Sequence, residues 1–264
     1  MVRSMGKIIA LVNQKGGVGK TTSSINLAAS LGFLKRKVLL VDLDPQGNAT
    51  TGIGIDKADA EYSVYDLLGD KTTIDKAIIK TEFRNLYAIP ATVNLAGIDF
   101  ELMEKKHQDP TFNSGAQLKK HLSQVKDQYD FIIIDCPPSL GILTKNALIA
   151  ADSVIIPVQC EFFALEGIMQ LLNNIMMAQR NFNPNLEIEG VLLTMLSHTN
   201  LGLEVVEEIK SYFKEKVYDT IIPRLVRLSE APSYGKPIIA YDPKCRGTEA
   251  YLNLAKEVLE RNGN

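Results

Sequence analysis

Lys15-Gly16-Gly17-Val18-Gly19-Lys20-Thr21-Thr22 places two lysines, three glycines and two threonines within eight residues. Such a set suits the binding of a polyphosphate. Glycines let backbone N–H groups curl around phosphate oxygens, and the start of a following helix adds a favourable dipole. Lys20 is spaced to reach the outer phosphate oxygens, and the Thr21 hydroxyl is spaced to ligate Mg²⁺. The chain departs from the general pattern G-x-x-x-x-G-K-[ST] at its first glycine, which is Gln14 here, and it carries an additional lysine at Lys15. With glycine at about 7% of average composition, a chance match in a chain of this length is on the order of one in ten thousand. A ligand-free glycine turn leaves both lysines and the threonine unexplained.

The surrounding elements must place this loop between a strand and a helix. Lys7 to Val12 is a short apolar run of strand character, and Ile25, Leu27, Ala28, Leu31 and Leu34 recur at helical spacing after Thr21. Two further apolar runs, Lys37 to Val41 and Phe131 to Ile134, lead directly into acids: Asp42 and Asp44 after the first, Asp135 after the second. Ligands of open parallel sheets sit beyond the carboxyl ends of the strands, where these three acids fall. There one carboxylate can hold Mg²⁺ through water and another can orient a water for attack on the terminal phosphate. A lone acid after an apolar run is usually a turn or cap. Three of them beside a phosphate loop favour the metal and water roles.

At these residues the chain resembles the ParA/Soj chromosome- and plasmid-partitioning ATPases, which belong to the P-loop NTPases with a deviant Walker A motif. The resemblance runs from Gly6 to about Arg261, through NQKGGVGKTT (13 to 22), LLVDLDPQGNAT (39 to 50), IIIDCPPSLG (132 to 141), IPVQCE (156 to 161) and IPRLVRLSEAPSYGKPI (222 to 238). It implies ATP and Mg²⁺ as cofactors. It implies that Lys15 crosses a dimer interface to the partner's ATP, so that two triphosphates join two subunits. It gives Lys20 and Thr21 the phosphate and metal roles already described, Asp44 the positioning of the hydrolytic water, and Asp42 and Asp135 support of the metal shell. Nucleotide contacts are expected from Lys15 to Thr22, with Pro223 and Arg224 framing the adenine. Arg227 matches a family arginine that contacts DNA without sequence preference. Hydrolysis is expected to be slow alone and stimulated by a ParB-like centromere-binding protein, in the cytoplasm and on the nucleoid. After Leu196, where relatives often carry another DNA-contacting arginine, this chain has Ser197-His198-Thr199-Asn200. His198 is mostly neutral at pH 7, which weakens the expected DNA contact.

Composition sets limits on these expectations. Twenty-nine basic residues against thirty-one acidic ones give a net charge of −2, so nucleic acid cannot be held by bulk charge. A local patch must do it, and Arg227, Lys236, Lys244 and Arg246 are the candidates. At 264 residues and 45% hydrophobic content, with no Pro/Ser-rich linker, one domain over the whole chain is the economical expectation, with residues 1–5 read as a tag remnant or short natural extension. The widely spaced Cys136, Cys160 and Cys245 read as free thiols in a reducing compartment, and no apolar run is long enough to span a membrane.

Further strands are expected at Asn85 to Ile89, Ser153 to Val158, Glu189 to Leu193 and Val217 to Ile222, with helices such as Leu165 to Gln179 and Leu203 to Phe213 between them. This alternation predicts an α/β fold, a mostly parallel twisted sheet flanked by helices on both faces. Gly247 to Arg261 reads as a packed terminal helix, and Lys105 to Gln117 as a surface loop.

Three other classes are less well matched. A MinD-like membrane-cycling ATPase needs a basic amphipathic carboxyl-terminal helix, whereas this chain ends Leu259-Glu260-Arg261-Asn262-Gly263-Asn264. A reductase resembling the nitrogenase iron protein needs paired cysteines for an iron–sulfur cluster. A metabolic ligase or kinase would phosphorylate a small molecule and not water. Lys15→Ala is expected to bind ATP yet remain monomeric with ATP and Mg²⁺, and a sizing column that returns an ATP-dependent dimer of this variant would contradict the expected role of Lys15.

Overall fold

Along each central strand, successive residues feed two different cores, because side chains alternate across a sheet. In a computed structural model that describes residues 6–161, 164–196 and 200–263, Ile8, Ala10, Leu39, Val41, Ile132 and Ile134 face one core. Their neighbours Ile9, Leu11, Val38, Leu40, Phe131 and Ile133 face the other. Strands buried on both sides read as unbroken apolar runs, which is what β1 (Lys7–Leu11), β2 (Val38–Asp42) and β5 (Phe131–Asp135) are. The remaining strands are β3 (Ile79–Lys80), β4 (Leu86–Ile89), β6 (Ser153–Gln159) and β7 (Glu187–Thr194). The sheet order is β3-β4-β2-β5-β1-β6-β7, and every neighbouring pair is parallel except β3 with β4.

Helix α1 (Lys20–Phe33) covers one face together with the helix Arg246–Arg261, while Ile142–Ala150, Ala164–Asn181 and Asn200–Phe213 lie on the other. α1 is buried almost all round, so its polar residues need partners inside the protein. Ser23 Oγ lies 3.1 Å from the Tyr251 hydroxyl, and Asn26 Oδ1 accepts the Ile238 amide at 2.6 Å. The terminal helix docks through Tyr251, Leu254, Ala255 and Val258, all buried, as their spacing predicts.

Two expectations are corrected. Val217 to Ile222 is not a strand; it touches β7 only at isolated bridges, Val217 with Val191 and Ile222 with Thr194. The Tyr218 and Ile222 amides donate to the Val191 and Leu193 carbonyls, but the Thr220 amide between them donates instead to the Glu257 carboxylate at 2.8 Å, as does the Asp219 amide at 2.9 Å. The surface loop is also shorter than Lys105 to Gln117. The helix Ile98–Gln108 runs through Lys105, Lys106 and His107, cations that favour its carboxyl end, and the next helix opens at Gln117.

Gly32, in the last turn of α1, lets that helix approach the chain ahead of β4; a Cβ there would sit 2.5 Å from the Arg84 carbonyl oxygen. Alanine gains about 0.5–1 kcal/mol in helix propensity over glycine, less than the overpacking costs. Gly32→Ala should therefore lower stability by about 1–3 kcal/mol in urea unfolding, and an unchanged midpoint would show that the helix can move away freely.

Candidate nucleotide site

Three strand ends meet at one edge of the sheet. In register, Leu11 pairs with Asp135 and Asp135 with Asp42, so the chain after β1 runs beside Asp135, with Asp42 one strand further on. That chain turns sharply: Gly17 and Gly19 have φ of 76° and 86°, a left-handed conformation that side chains resist. A Cβ added at Gly16 or Gly17 would meet nothing within 4 Å, so the loop borders open space. The loop is pinned from below. The Asn13 amide donates to the Pro157 carbonyl at 2.7 Å, its Oδ1 accepts the Lys15 amide at 2.9 Å, and the Thr194 hydroxyl donates to the Val18 carbonyl at 2.9 Å.

Lys20 is 6% exposed and folds back so that its ammonium donates to the Lys15 carbonyl at 3.0 Å. Burial pushes its pKa down, while the Asp135 carboxylate beside it pulls it back up. Asp135 and Asp42 are both fully buried, and desolvation raises both pKa values, with their mutual repulsion adding to the rise at Asp135. Their surroundings differ. Asp42 Oδ2 accepts both the Thr50 amide and the Thr50 hydroxyl at 2.7 Å, and its Oδ1 accepts the Asp44 amide at 3.1 Å. Asp135 Oδ1 accepts the Ser24 hydroxyl at 2.8 Å, and its Oδ2 is buried with no hydrogen-bond partner among the described residues. The Thr21 hydroxyl favours the charged form of Asp135. An orphaned carboxylate oxygen costs free energy unless a cation or donor reaches it, which fits a metal held by Thr21 and Asp135. Asp44, 7% exposed, is fixed by the Gln46 amide, which donates to its Oδ1 at 2.9 Å.

Lys15 lies beside the cradle with its side chain 40% exposed, and its ammonium pairs with Glu161 at 2.9 Å. Pro223 and Arg224 join Gly19, Thr22, Thr194 and Met195 around a cavity of about 170 Å³ next to the loop, the right place for a base attached to phosphates in the cradle. The structure therefore brings Lys15 to Thr22, Asp42, Asp44, Asp135, Pro223 and Arg224 together. Arg227, Lys236, Lys244 and Arg246 are all exposed. Arg227 is partly neutralised: Glu230 and Asp242 each lie 3.7 Å from its guanidinium, which sits over the Tyr241 ring. Arg246 lines a groove with Asp219, Glu249 and Glu257, an acidic setting unlike a phosphate patch. His198 lies outside the described residues.

Asn13, Ser24, Thr50, Glu161 and Thr194 escaped the sequence reading. Ser24 carried only a weak signal, as a hydroxyl one turn after Lys20 in a helix that also holds Ser23, Asn26 and Ser30. Asn13, Thr50 and Glu161 lay inside the motifs quoted above, without a role assigned to them. Cys136 and Cys160 are buried and Cys245 half-buried, all free, and among the described residues no group of three or more His, Cys, Asp or Glu is placed to hold a metal alone. No described helix is long and apolar enough to cross a membrane.

A phosphate cradle closing the first strand of a parallel sheet, with lysine, threonine and carboxylates converging on it, defines a P-loop ATPase. A family profile described as an AAA domain matches residues 6–188. The sporulation initiation inhibitor protein Soj of Bacillus subtilis (strain 168) is 61% identical over 255 residues, covering 96% of this chain and 98% of that protein. The chromosome partitioning protein ParA of Myxococcus xanthus (strain DK1622) is 49% identical, covering 98% and 90%. A crystal structure of cobyrinic acid a,c-diamide synthase from Mycobacterium smegmatis with bound ADP and magnesium superposes with a TM-score of 0.84 at 34% identity, covering 98% and 96%. The chain belongs to the Soj/ParA family of ATPases.

Thr50→Val keeps the shape and removes the hydroxyl that serves Asp42. It should cost about 1–3 kcal/mol of stability and slow ATP hydrolysis, because the Asp44 amide hangs on the same carboxylate. A variant with unfolding and turnover both at wild-type values would remove Asp42 from this supporting role.

Proposed function

We infer that this ATPase segregates DNA: its ATP-bound form is a dimer that binds double-stranded DNA without sequence preference on the nucleoid, and hydrolysis, stimulated by a ParB-like centromere-binding protein, releases it. The observation that carries the reading is the exposed Lys15 at the rim of a complete phosphate cradle, a cation that the chain's own phosphate site does not need. Two triphosphates brought together between subunits repel strongly unless cations neutralise them. A lysine from each subunit at that position supplies the charge and makes association depend on the triphosphate.

Within the site, Lys20 holds the outer phosphates, the loop amides from Gly16 to Thr22 cradle them, and Pro223 and Arg224 border the base. Mg²⁺, when bound, neutralises phosphate charge at Thr21 and Asp135. Asp42 acts from behind, by fixing the Asp44 backbone through its Oδ1. Asp44 orients the attacking water, its carboxylate held at the mouth by the Gln46 amide. Arg227 is the leading DNA-contacting candidate because it matches the family arginine, although Glu230 and Asp242 each lie 3.7 Å from its guanidinium. The synthase name of one structural relative corresponds to the ligase class. The 61% identity to Soj, against 34% to that structure, favours the partitioning reading.

Asp44→Ala protein should bind a fluorescent random-sequence duplex tightly with ATP and Mg²⁺ and weakly with ADP and Mg²⁺. Arg227→Ala should weaken the ATP-dependent binding, and affinity should fall steeply as salt rises. Equal binding in both nucleotide states, or none in either, would overturn the DNA reading.

A further inference from the structure

The terminal helix Arg246–Arg261 touches the rest of the chain in two ways. Its apolar face buries Tyr251, Leu254, Ala255 and Val258 in the core that α1 shares, and the Tyr251 hydroxyl meets Ser23, three residues after Lys20. Its other contact is made by two charged side chains one turn apart, Glu257 and Arg261, which reach residues 216–220. The Arg261 guanidinium donates to the Glu189 carbonyl of β7 at 3.0 Å, to the Lys216 carbonyl at 3.2 Å and to the Val217 carbonyl at 3.0 Å, and it lies over the Tyr218 ring. The Glu257 carboxylate accepts the Asp219 amide, the Thr220 amide and the Thr220 hydroxyl. One helix thus offers a cation to backbone acceptors and an anion to the donors that follow them, and hydrogen bonds to charged groups are the stronger kind.

These bonds hold the approach to the cavity beside the phosphate loop. Ile222, Pro223 and Arg224 line that cavity with Gly19 and Thr22 of the cradle and Tyr251 of the terminal helix. Ile222 is tied to β7 and the residue after it, since its amide donates to the Leu193 carbonyl at 2.9 Å and its carbonyl accepts the Met195 amide at 2.8 Å. Between the isolated bridges at Val217 and Ile222, the amides of Asp219 and Thr220 are held by Glu257 alone of the side chains described. Glu257 lines the neighbouring groove and not the cavity itself. Pro223 lines both spaces and is the wall between them.

We propose that Glu257 is a positioning residue for the nucleotide: by holding Asp219 and Thr220 it sets where Pro223 and Arg224 stand, and so how tightly the part of the nucleotide beyond the phosphates is gripped. The assignment rests on the reading of this cavity as the base site. The same helix packs on α1, which Lys20 and Thr21 open, so it fixes the spacing between the phosphate cradle and the base wall. Glu257 acts on the wall only. Its loss removes binding that ground state and transition state share, which raises KM and leaves kcat in place.

The test is calorimetric titration of the full chain with ADP and with pyrophosphate, both with Mg²⁺, for wild type, Glu257→Gln, Thr220→Val and Glu249→Gln, alongside KM and kcat for ATP. Pyrophosphate occupies the cradle without a base or sugar, so its binding also establishes that each variant is folded. Glu257→Gln turns an amide N–H towards backbone donors; ADP should bind roughly three- to tenfold more weakly, while pyrophosphate and kcat stay within about twofold of wild type. Thr220→Val, which removes one of the three donors at Glu257, should move ADP in the same direction by less. Glu249→Gln removes the same charge from the same groove two turns earlier and should match wild type with both ligands. Unchanged ADP affinity in Glu257→Gln and Thr220→Val would overturn the assignment. So would equal losses for ADP and pyrophosphate, or a loss of ADP binding in Glu249→Gln as large as that in Glu257→Gln. A wild-type chain that holds ADP no more tightly than pyrophosphate would overturn the base-site reading itself, and the assignment with it.

Discussion

Two carboxylates buried side by side govern this structure. Asp42 and Asp135 end neighbouring parallel strands in register, inside a region that disfavours charge. Like charges so placed are tolerable only with donors and cations around them. The requirement accounts for Thr50 and Ser24 and for the buried Lys20, and it makes the partnerless Asp135 oxygen a group that attracts positive charge. The glycine loop and the left-handed turns at Gly17 and Gly19 then serve to bring phosphates to the place where backbone amides, Lys20 and a cation can offset their charge.

Much of this was legible in the sequence because the signals were local. The loop between Lys15 and Thr22, and the acids at the ends of apolar runs, each lie within a few residues of the strand that positions them. Pairings between distant residues were less legible. The isolated bridges at Val217 and Ile222 depend on Glu257, far along the chain, taking the Thr220 amide that a strand would use. The Lys15–Glu161 pair joins two segments that no spacing rule connects. The settings of the basic candidates were not legible for a similar reason: Arg246 counts as positive in a sequence, yet the groove it lines also holds Asp219, Glu249 and Glu257.

The Lys15–Glu161 pair also gives the cation at the rim a resting place. Exposed ion pairs contribute about 0–1 kcal/mol, so the contact holds the ammonium in position without binding it strongly. A triphosphate with several negative charges outcompetes one carboxylate easily. The chain thus keeps its most exposed site lysine ordered at small energetic cost.

The strand order carries a consequence for how the molecule is made. β5 inserts between β1 and β2, although both of those strands and the glycine loop precede it by a long stretch of chain. As synthesis proceeds, the loop and Asp42 emerge early, but they become neighbours of Asp135 only when residues 131–135 thread into the gap. Such late, non-local pairing is slow to form. Until it forms, Lys20 and the cradle lack the buried carboxylate that stands beside them, and the site through which nucleotide would stabilise the chain is incomplete. ATP therefore selects molecules whose central sheet is already closed.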